Sequence, residues 1–357
     1  MPKFWIKIFA CLFLISSAVS ADRYKEPSFD IEKIPNLIYA SNVPHLTKKH
    51  FITSLAVGLR TSSDVFPSLY FYQNVNEITY KNLHFDLYQP KNDTTNNRPL
   101  VIVVHGGAFV SGSKDDRNQS IVGYCDSLAV RGYVVASIDY RVGLTLKNIE
   151  NKLFVDSLDF KRAVQWGVHD LQVAIRFFRS HAGEYGIDRE KIFVIGNSSG
   201  AILAMQSVCE KNGVSPNAIV SMWGAVLDKE KIKNVSIPVL LIHGTEDEIV
   251  PFKEGRILNL DSIRERNRDL LGYGSIASSF SISFTSPIFY GSYVVDSVFN
   301  RHGYVHETFF QDGVGHEFYN KEFYKIKVLA MIVNYLYKII ELDEKRPPSL
   351  WSRMTNN

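Results

Sequence analysis

Short, uninterrupted apolar runs punctuate the middle of the chain: LVIVVH (100–105), YVVASID (133–139), KIFVIG (191–196), IVSMWGAV (219–226) and IPVLLIH (237–243). A strand with one wet face alternates apolar and polar residues. A strand covered on both faces does not, so these runs predict buried parallel strands. Between them the apolar spacing changes to three and four: Val164, Val168, Leu171, Ile175 and Phe178 form one stripe of a helix. Strands alternating with helices predict an α/β fold, a doubly wound and mostly parallel sheet with helices on both faces. A second stripe, Phe323, Ile326, Leu329, Val333, Leu336 and Ile340, predicts a last helix docked on that sheet.

The margins read differently. Residues 1–21 combine Lys3 and Lys7, an apolar run from Ile8 to Ile15 and small residues up to Ala21, the pattern of a signal peptide, so the mature chain is expected to be secreted or periplasmic. No segment has the roughly 18 consecutive apolar residues of a membrane span. Residues 22–74 show no sustained period and predict an irregular N-terminal extension, whereas ITYKNLHFDLYQP (78–90) alternates like a half-buried strand. The main domain is therefore placed at 75–343, with a polar tail at 344–357. An insertion at about 255–289, rich in Ser, Phe and Ile, is expected to cover the mouth of the site, with Phe280, Ile282, Phe284, Ile288 and Phe289 as apolar lining.

Charge narrows the choice of partner. The 40 basic and 37 acidic residues give a net +3, or +1 without the two leader lysines, which recruits neither nucleic acid nor an anionic membrane. Outside the leader, Cys125 and Cys209 either pair or remain two buried thiols, and their apolar settings favour thiols. His302 and His306 stand four apart, but Gly303 between them argues against a helical metal site, and no metal or cofactor is expected.

Chemistry concentrates in four segments. In KIFVIGNSSGAILAMQ a strand meets a helix at Gly196-Asn197-Ser198-Ser199-Gly200. A nucleophile raised on so sharp a bend needs small residues two positions to either side, which makes Ser198, not Ser199, the nucleophile. VIVVHGGAFVSGS ends a strand at His105 and enters Gly106, Gly107, Ala108 and Phe109. VLLIHGTEDEIVP carries Asp247, and FFQDGVGHEFY carries His316 in a glycine-rich loop.

Over residues 76–343 these segments, with DYR at 139–141, resemble the HGG-type esterases and lipases of the α/β-hydrolase fold, a carboxylesterase-like group. That resemblance implies a triad of Ser198, Asp247 and His316, with the backbone amides of Gly107, Ala108 and Ser199 forming an oxyanion hole. Many such proteins have a third glycine where this chain has Ala108, and an acidic residue where it has Asn197. Phe109 and Asn197, beside the expected donors and the nucleophile, are candidate substrate contacts. The implied reaction is hydrolysis of a small-molecule or polymer-borne ester through an acyl-enzyme. A peptidase or amidase of the same fold is the alternative, although peptidases of this kind usually carry a large N-terminal propeller that some 50 residues cannot build. A non-catalytic binding protein would normally lack a triad member.

Overall fold

The computed structural model describes residues 23–50, 72–116, 121–144, 147–149, 152–210, 213–257, 282–316, 318 and 322–345. The expected leader and nearly all of the tail lie outside them. In chain order the elements are β1 (Ile31–His50), β2 (Tyr72–Pro90), β3 (Arg98–Val104), α1 (Ile121–Ala129), β4 (Val134–Ile138), β5 (Lys147–Ile149), β6 (Lys152–Val155), α2 (Ser157–Ser180), β7 (Ile187–Asn197), α3 (Ser199–Cys209), β8 (Ala218–Met222) and β9 (Ala225–Val226). A short 3-10 turn follows at Lys229–Asn234. Then come β10 (Val239–Gly244), β11 (Glu254–Arg256), β12 (Ile282–Phe284), β13 (Ile288–Gly291), α4 (Ser292–His302), β14 (His306–Gln311) and α5 (Glu322–Glu344).

Eight strands form the central sheet in the order β1-β2-β4-β3-β7-β8-β10-β14. The β1/β2 and β2/β4 pairs are antiparallel, and every pair from β4 to β14 is parallel. Every residue of β3, β4, β8 and β10 is buried. Their apolar runs nevertheless divide by the pleat: Ile102 and Val104 face one core with α2 and α3, while Val101 and Val103 face the other with α1 and α5. Helix α2 starts where the Asp156 carboxylate accepts the amides of Leu158 and Asp159, both at 2.9 Å, and its expected stripe from Val164 to Phe178 is buried. Each such fully buried side chain contributes roughly 1.5–3 kcal/mol.

Three local expectations change. The stretch expected to be irregular contains β1, a 20-residue strand at the edge of the sheet. Its register with β2 shifts four times, and Asn36 (φ 59°) and Asn42 (φ 55°) sit near those shifts, so bulges erase the alternation that would have marked a strand. The run IVSMWGAV breaks at Trp223 (φ 57°): β8 stays in the main sheet and β9 joins β13 in a smaller one. Helix α5 docks through Val328, Ile332, Val333, Tyr335, Leu336 and Ile340. Phe323, half a turn around the helix from Ile332, is 71% exposed and Ile326 is 63% exposed.

The two ends of the expected insertion pair with each other, β11 with β13, and are joined to the body by β13 on β9 and β12 on β6; residues 258–281 lie outside the described residues. Phe280 lies among those residues. Phe289 belongs to the core rather than to a rim, while Ile288 is exposed. Cys125 and Cys209 are free buried thiols in different cores, on opposite faces of the sheet. Among the described residues no helix is long and apolar enough to cross a membrane.

Candidate active site

Strand β7 ends at Asn197 and α3 begins at Ser199, so Ser198 occupies the bend alone, at φ 53° and ψ −118°. That left-handed conformation is costly for a residue with a side chain and persists only where its surroundings impose it. Here the Ser198 amide donates to the Met222 carbonyl (2.8 Å) and the Ser198 carbonyl accepts from Ile202 (3.0 Å). A Cβ at position 196 would run into Gly200 and Ala201, and one at position 200 into the carbonyls of Val104 and His105. Both glycines are thus required by close backbone approach. The adjacent serine points elsewhere: Ser199 Oγ is 3.0 Å from the Tyr140 hydroxyl, which in turn donates to the His105 carbonyl at 3.1 Å.

His316 Nε2 lies 2.9 Å from Ser198 Oγ, and its Nδ1 lies 2.6 Å from Asp247 Oδ2. The three residues are 5%, 6% and 8% exposed for Ser198, His316 and Asp247, so water has little access to the chain of hydrogen bonds. Asp247 can only accept while ionised, which places the imidazole proton on Nδ1 and leaves Nε2 as the acceptor for the serine hydroxyl. The other oxygen, Oδ1, accepts the amides of Ile249 and Val250, each at 2.9 Å. Burial opposes ionisation of Asp247. The charge of His316 and the hydrogen bonds from His243 and His316 outweigh it and hold the carboxyl well below the usual range.

The acid and base loops are fastened to each other. Strands β10 and β14 are parallel neighbours, Thr245 N donates to the Gln311 carbonyl and Glu246 N to the Val314 carbonyl, both at 3.0 Å. Thr245 Oγ1 also donates to Asp312 (2.9 Å) and accepts from the Gly313 amide (3.0 Å). Gly244 has no side chain where the carbonyls of Val314 and Gly315 pass. Trp223 meets the His316 ring edge-on, with centroids 6.2 Å apart.

The loop after β3 runs beside the serine bend, because Val104 pairs with Gly196. Gly107, Ala108 and Phe109 take positive φ in succession (111°, 52°, 63°). The Val110 and Ser111 amides close back on the Gly107 carbonyl at 3.0 and 3.1 Å, so the turn itself is tied down by amides beyond Ala108. Ala108 adopts the conformation a third glycine would favour and carries its Cβ at a cost of about 1 kcal/mol. His105 stacks on Tyr140 with centroids 4.4 Å apart. Phe109 (1% exposed) and Asn197 (0%), the expected substrate contacts, are both buried, Phe109 within the core, so neither side chain presents a surface to a substrate here.

Several functional neighbours carried no assigned role on sequence grounds. The DYR segment supplies Tyr140 under the serine bend. It also supplies Asp139, whose carboxylate accepts the Lys114 amide at 2.9 Å, and Arg141, paired with Asp170 at 2.7 Å. His243 and Gly244 were visible only as the end of a strand. His306 pairs with Asp296 at 2.9 Å and His302 stacks on Tyr304; among the described residues no group of three or more His, Cys, Asp or Glu could hold a metal ion.

Eight strands in this order, with a serine raised on a strand-to-helix bend and joined through an imidazole to a carboxylate, give the chain an α/β-hydrolase fold with a serine–histidine–aspartate constellation in place. Residues 85–230 match the BD-FAE family model, a span that holds the loop after β3 and the serine bend. The chain is similar to esterase-5A of Drosophila pseudoobscura pseudoobscura, 29% identical over 147 residues covering 41% of this chain and 25% of that one. It is 24% identical over 236 residues to esterase LipC of Mycobacterium tuberculosis, covering 53% and 54% of the two chains. Over 126 residues it is 34% identical to a probable isoprenylcysteine alpha-carbonyl methylesterase of Arabidopsis thaliana, covering 35% of this chain and 22% of that one. The chain spans about a quarter of the length of the first of these relatives. Among solved structures, Thermogutta terrifontis esterase 2 phosphorylated by paraoxon shares the fold at TM-score 0.50 and 21% identity, over 72% of this chain and 89% of that one. In sequence, then, the chain is similar to esterases over part of its length.

Proposed function

We propose that the chain hydrolyses carboxylic esters through an acyl-enzyme, with Ser198 as nucleophile, His316 as base and Asp247 as the group that orients and charges the base. The observation that carries this reading is the unbroken chain from Ser198 Oγ through His316 to Asp247 Oδ2, at 2.9 and 2.6 Å. As Ser198 Oγ attacks the ester carbonyl, its proton passes to His316 Nε2, and the imidazolium is stabilised by the ionised Asp247. The amides of Gly107, Ala108 and Ser199 are assigned to the developing oxyanion, since a loop fixed at positive φ beside a helix N-terminus presents donors that need no reorganisation. His316 then protonates the leaving alcohol, and water repeats the sequence to release the acid.

The substrate is a small-molecule or polymer-borne ester, which the near-neutral charge and the esterase likenesses support. We further propose export of the chain after removal of residues 1–21, resting on the leader pattern alone. Intact-mass analysis of protein treated with a fluorophosphonate tests the chemistry: one adduct, mapped to Ser198 and absent from Ser198→Ala, is expected. Unlabelled protein without turnover of p-nitrophenyl esters of any acyl length would overturn the reading. For export, the N-terminus of protein recovered outside the cytosol should be Asp22, and retention with an intact Met1 would refute it.

A further inference from the structure

The Asp247 carboxylate has a second imidazole. His243, next to the last residue of β10, is fully buried, and its Nε2 lies 3.0 Å from Asp247 Oδ2, the oxygen that also meets His316. The same Nε2 lies 3.2 Å from the Val250 carbonyl. An ionised carboxylate and a carbonyl accept but do not donate, so Nε2 carries a proton and donates to both. On the far side of the ring, Nδ1 is 2.8 Å from Ser292 Oγ, in the first turn of α4, and Phe252 packs edge-on at 5.6 Å between centroids. A second serine–histidine–aspartate chain therefore converges on Asp247 from the interior. With Ser292 at 1% and His243 at 0% exposure it touches no substrate, and whatever it does must pass through Asp247.

Together with the amides of Ile249 and Val250 on Oδ1, His243 and His316 bring four N–H donors to the carboxylate, which matches its four acceptor sites. Two consequences follow from that saturation. The carboxylate plane is held so that Oδ2 presents its remaining lone pair to His316. The negative charge on Oδ2 is also divided between two N–H groups, so the His316 imidazolium feels less of it. The titratable groups facing this cluster are His316 and His243 on Asp247, and Ser198 on His316, with Glu246 and Glu248 flanking Asp247 in its own loop.

We propose that His243 is a positioning residue that aims the Asp247 carboxylate at His316 and moderates its pull on the His316 imidazolium, and so sets the pH below which turnover fails. The proposal rests on the reading of Ser198 and His316 as nucleophile and base.

Wild type, His243→Leu, His243→Gln and Ser292→Ala are compared in kcat, KM and pH profile on a p-nitrophenyl ester, with active sites counted by fluorophosphonate titration so that misfolded protein does not enter the rates. His243→Leu removes the donor. The glutamine amide reaches the position of the lost Nε2 and restores it. The leucine variant should lose about ten- to a hundredfold in kcat per titrated site with KM nearly unchanged. Its acid limb should move upward by roughly half a pH unit, because an uncompensated Oδ2 makes His316 more basic. His243→Gln should recover most of both effects, and Ser292→Ala should move the limb the same way by less. Unchanged per-site kcat and an unmoved or lowered limb in His243→Leu would overturn the proposal. Should that variant yield no titratable sites, Ser292→Ala decides it by the same criterion. A wild type that neither takes the label nor turns over esters removes the functional reading itself, and this inference with it.

Discussion

The fastening of the base loop to the acid loop can be broken at one atom. In Gly244→Ala the new Cβ would stand 2.6 Å from the Gly315 carbonyl oxygen and closer still to that of Val314, whereas real Cβ atoms keep beyond 3.0 Å. The Gly315 carbonyl must retreat by at least 0.4 Å, and Val314 by more, in the two residues immediately before His316. Neither obstacle is the end of a flexible side chain, so the backbone itself carries the shift and the imidazole with it. Misplacement of this order costs about ten- to a hundredfold in rate, and overpacking of this kind about 1–3 kcal/mol in stability. Gly303→Ala is the matched control. Gly303 caps α4 at φ 68° with no atom within 4 Å of the place a methyl group would take, so the substitution costs about 1 kcal/mol of backbone strain and leaves both loops alone. Urea denaturation and kcat per fluorophosphonate-titrated site separate the two outcomes. Gly244→Ala should lose both stability and per-site kcat, and Gly303→Ala only stability. If Gly244→Ala turns over at the wild-type per-site rate, the Gly244 contact does not align His316.

Ser198→Ala should lower kcat by about 10⁴-fold or more, whereas Ser199→Ala should retain most activity, because its hydroxyl faces Tyr140; reversal of that order in a p-nitrophenyl ester assay would show the bend misread. Acidification should abolish activity through one ionisation at about pH 6–7, the ordinary histidine range, and recovery on return to pH 8 checks that the fold survives. Asp247 supports that separation: its folded pKa is depressed, so its contribution to stability is complete above about pH 3.9 and is lost only as pH falls through the lower folded value. An acid limb below about pH 4.5 would point instead to a carboxylate base. Asp170→Ala should cost about 3–5 kcal/mol in urea denaturation, since Arg141 would remain buried without its 2.7 Å partner, and a loss under 1 kcal/mol would contradict that assignment.

What could be read ahead of the structure was what local constraints write locally. Buried parallel strands leave continuous apolar runs, so β3, β4, β7 and β10 were legible, and the two glycines about Ser198 announced a bend that no larger residue permits. Strand β1 was not legible because four register shifts break its alternation. On α5 the later part of the expected stripe, Val333, Leu336 and Ile340, docks as expected, whereas Phe323 and Ile326 at its start are exposed, because apolar residues cover more than one stripe there and only the sheet selects between Ile332 and Phe323. The roles of Tyr140 and Gly244 depend on partners 59 and about 70 residues away in sequence, and His243, though only four residues from Asp247, is backed by Ser292 at a separation of 49. Contacts at such separation leave no period in the sequence, only a residue type that many other settings would also accept.

The order of strands has a temporal side. From β7 onward each strand of the main sheet is laid beside the one before it, β8, then β10, then β14, and the imidazole arrives just beyond the last. A chain emerging from the ribosome can complete the bend that bears Ser198 before the residues of the base loop have been synthesised. Until β14 pairs, His316 is not held beside Ser198, so on the proposed reading the proton acceptor is the last part of the triad to be put in place.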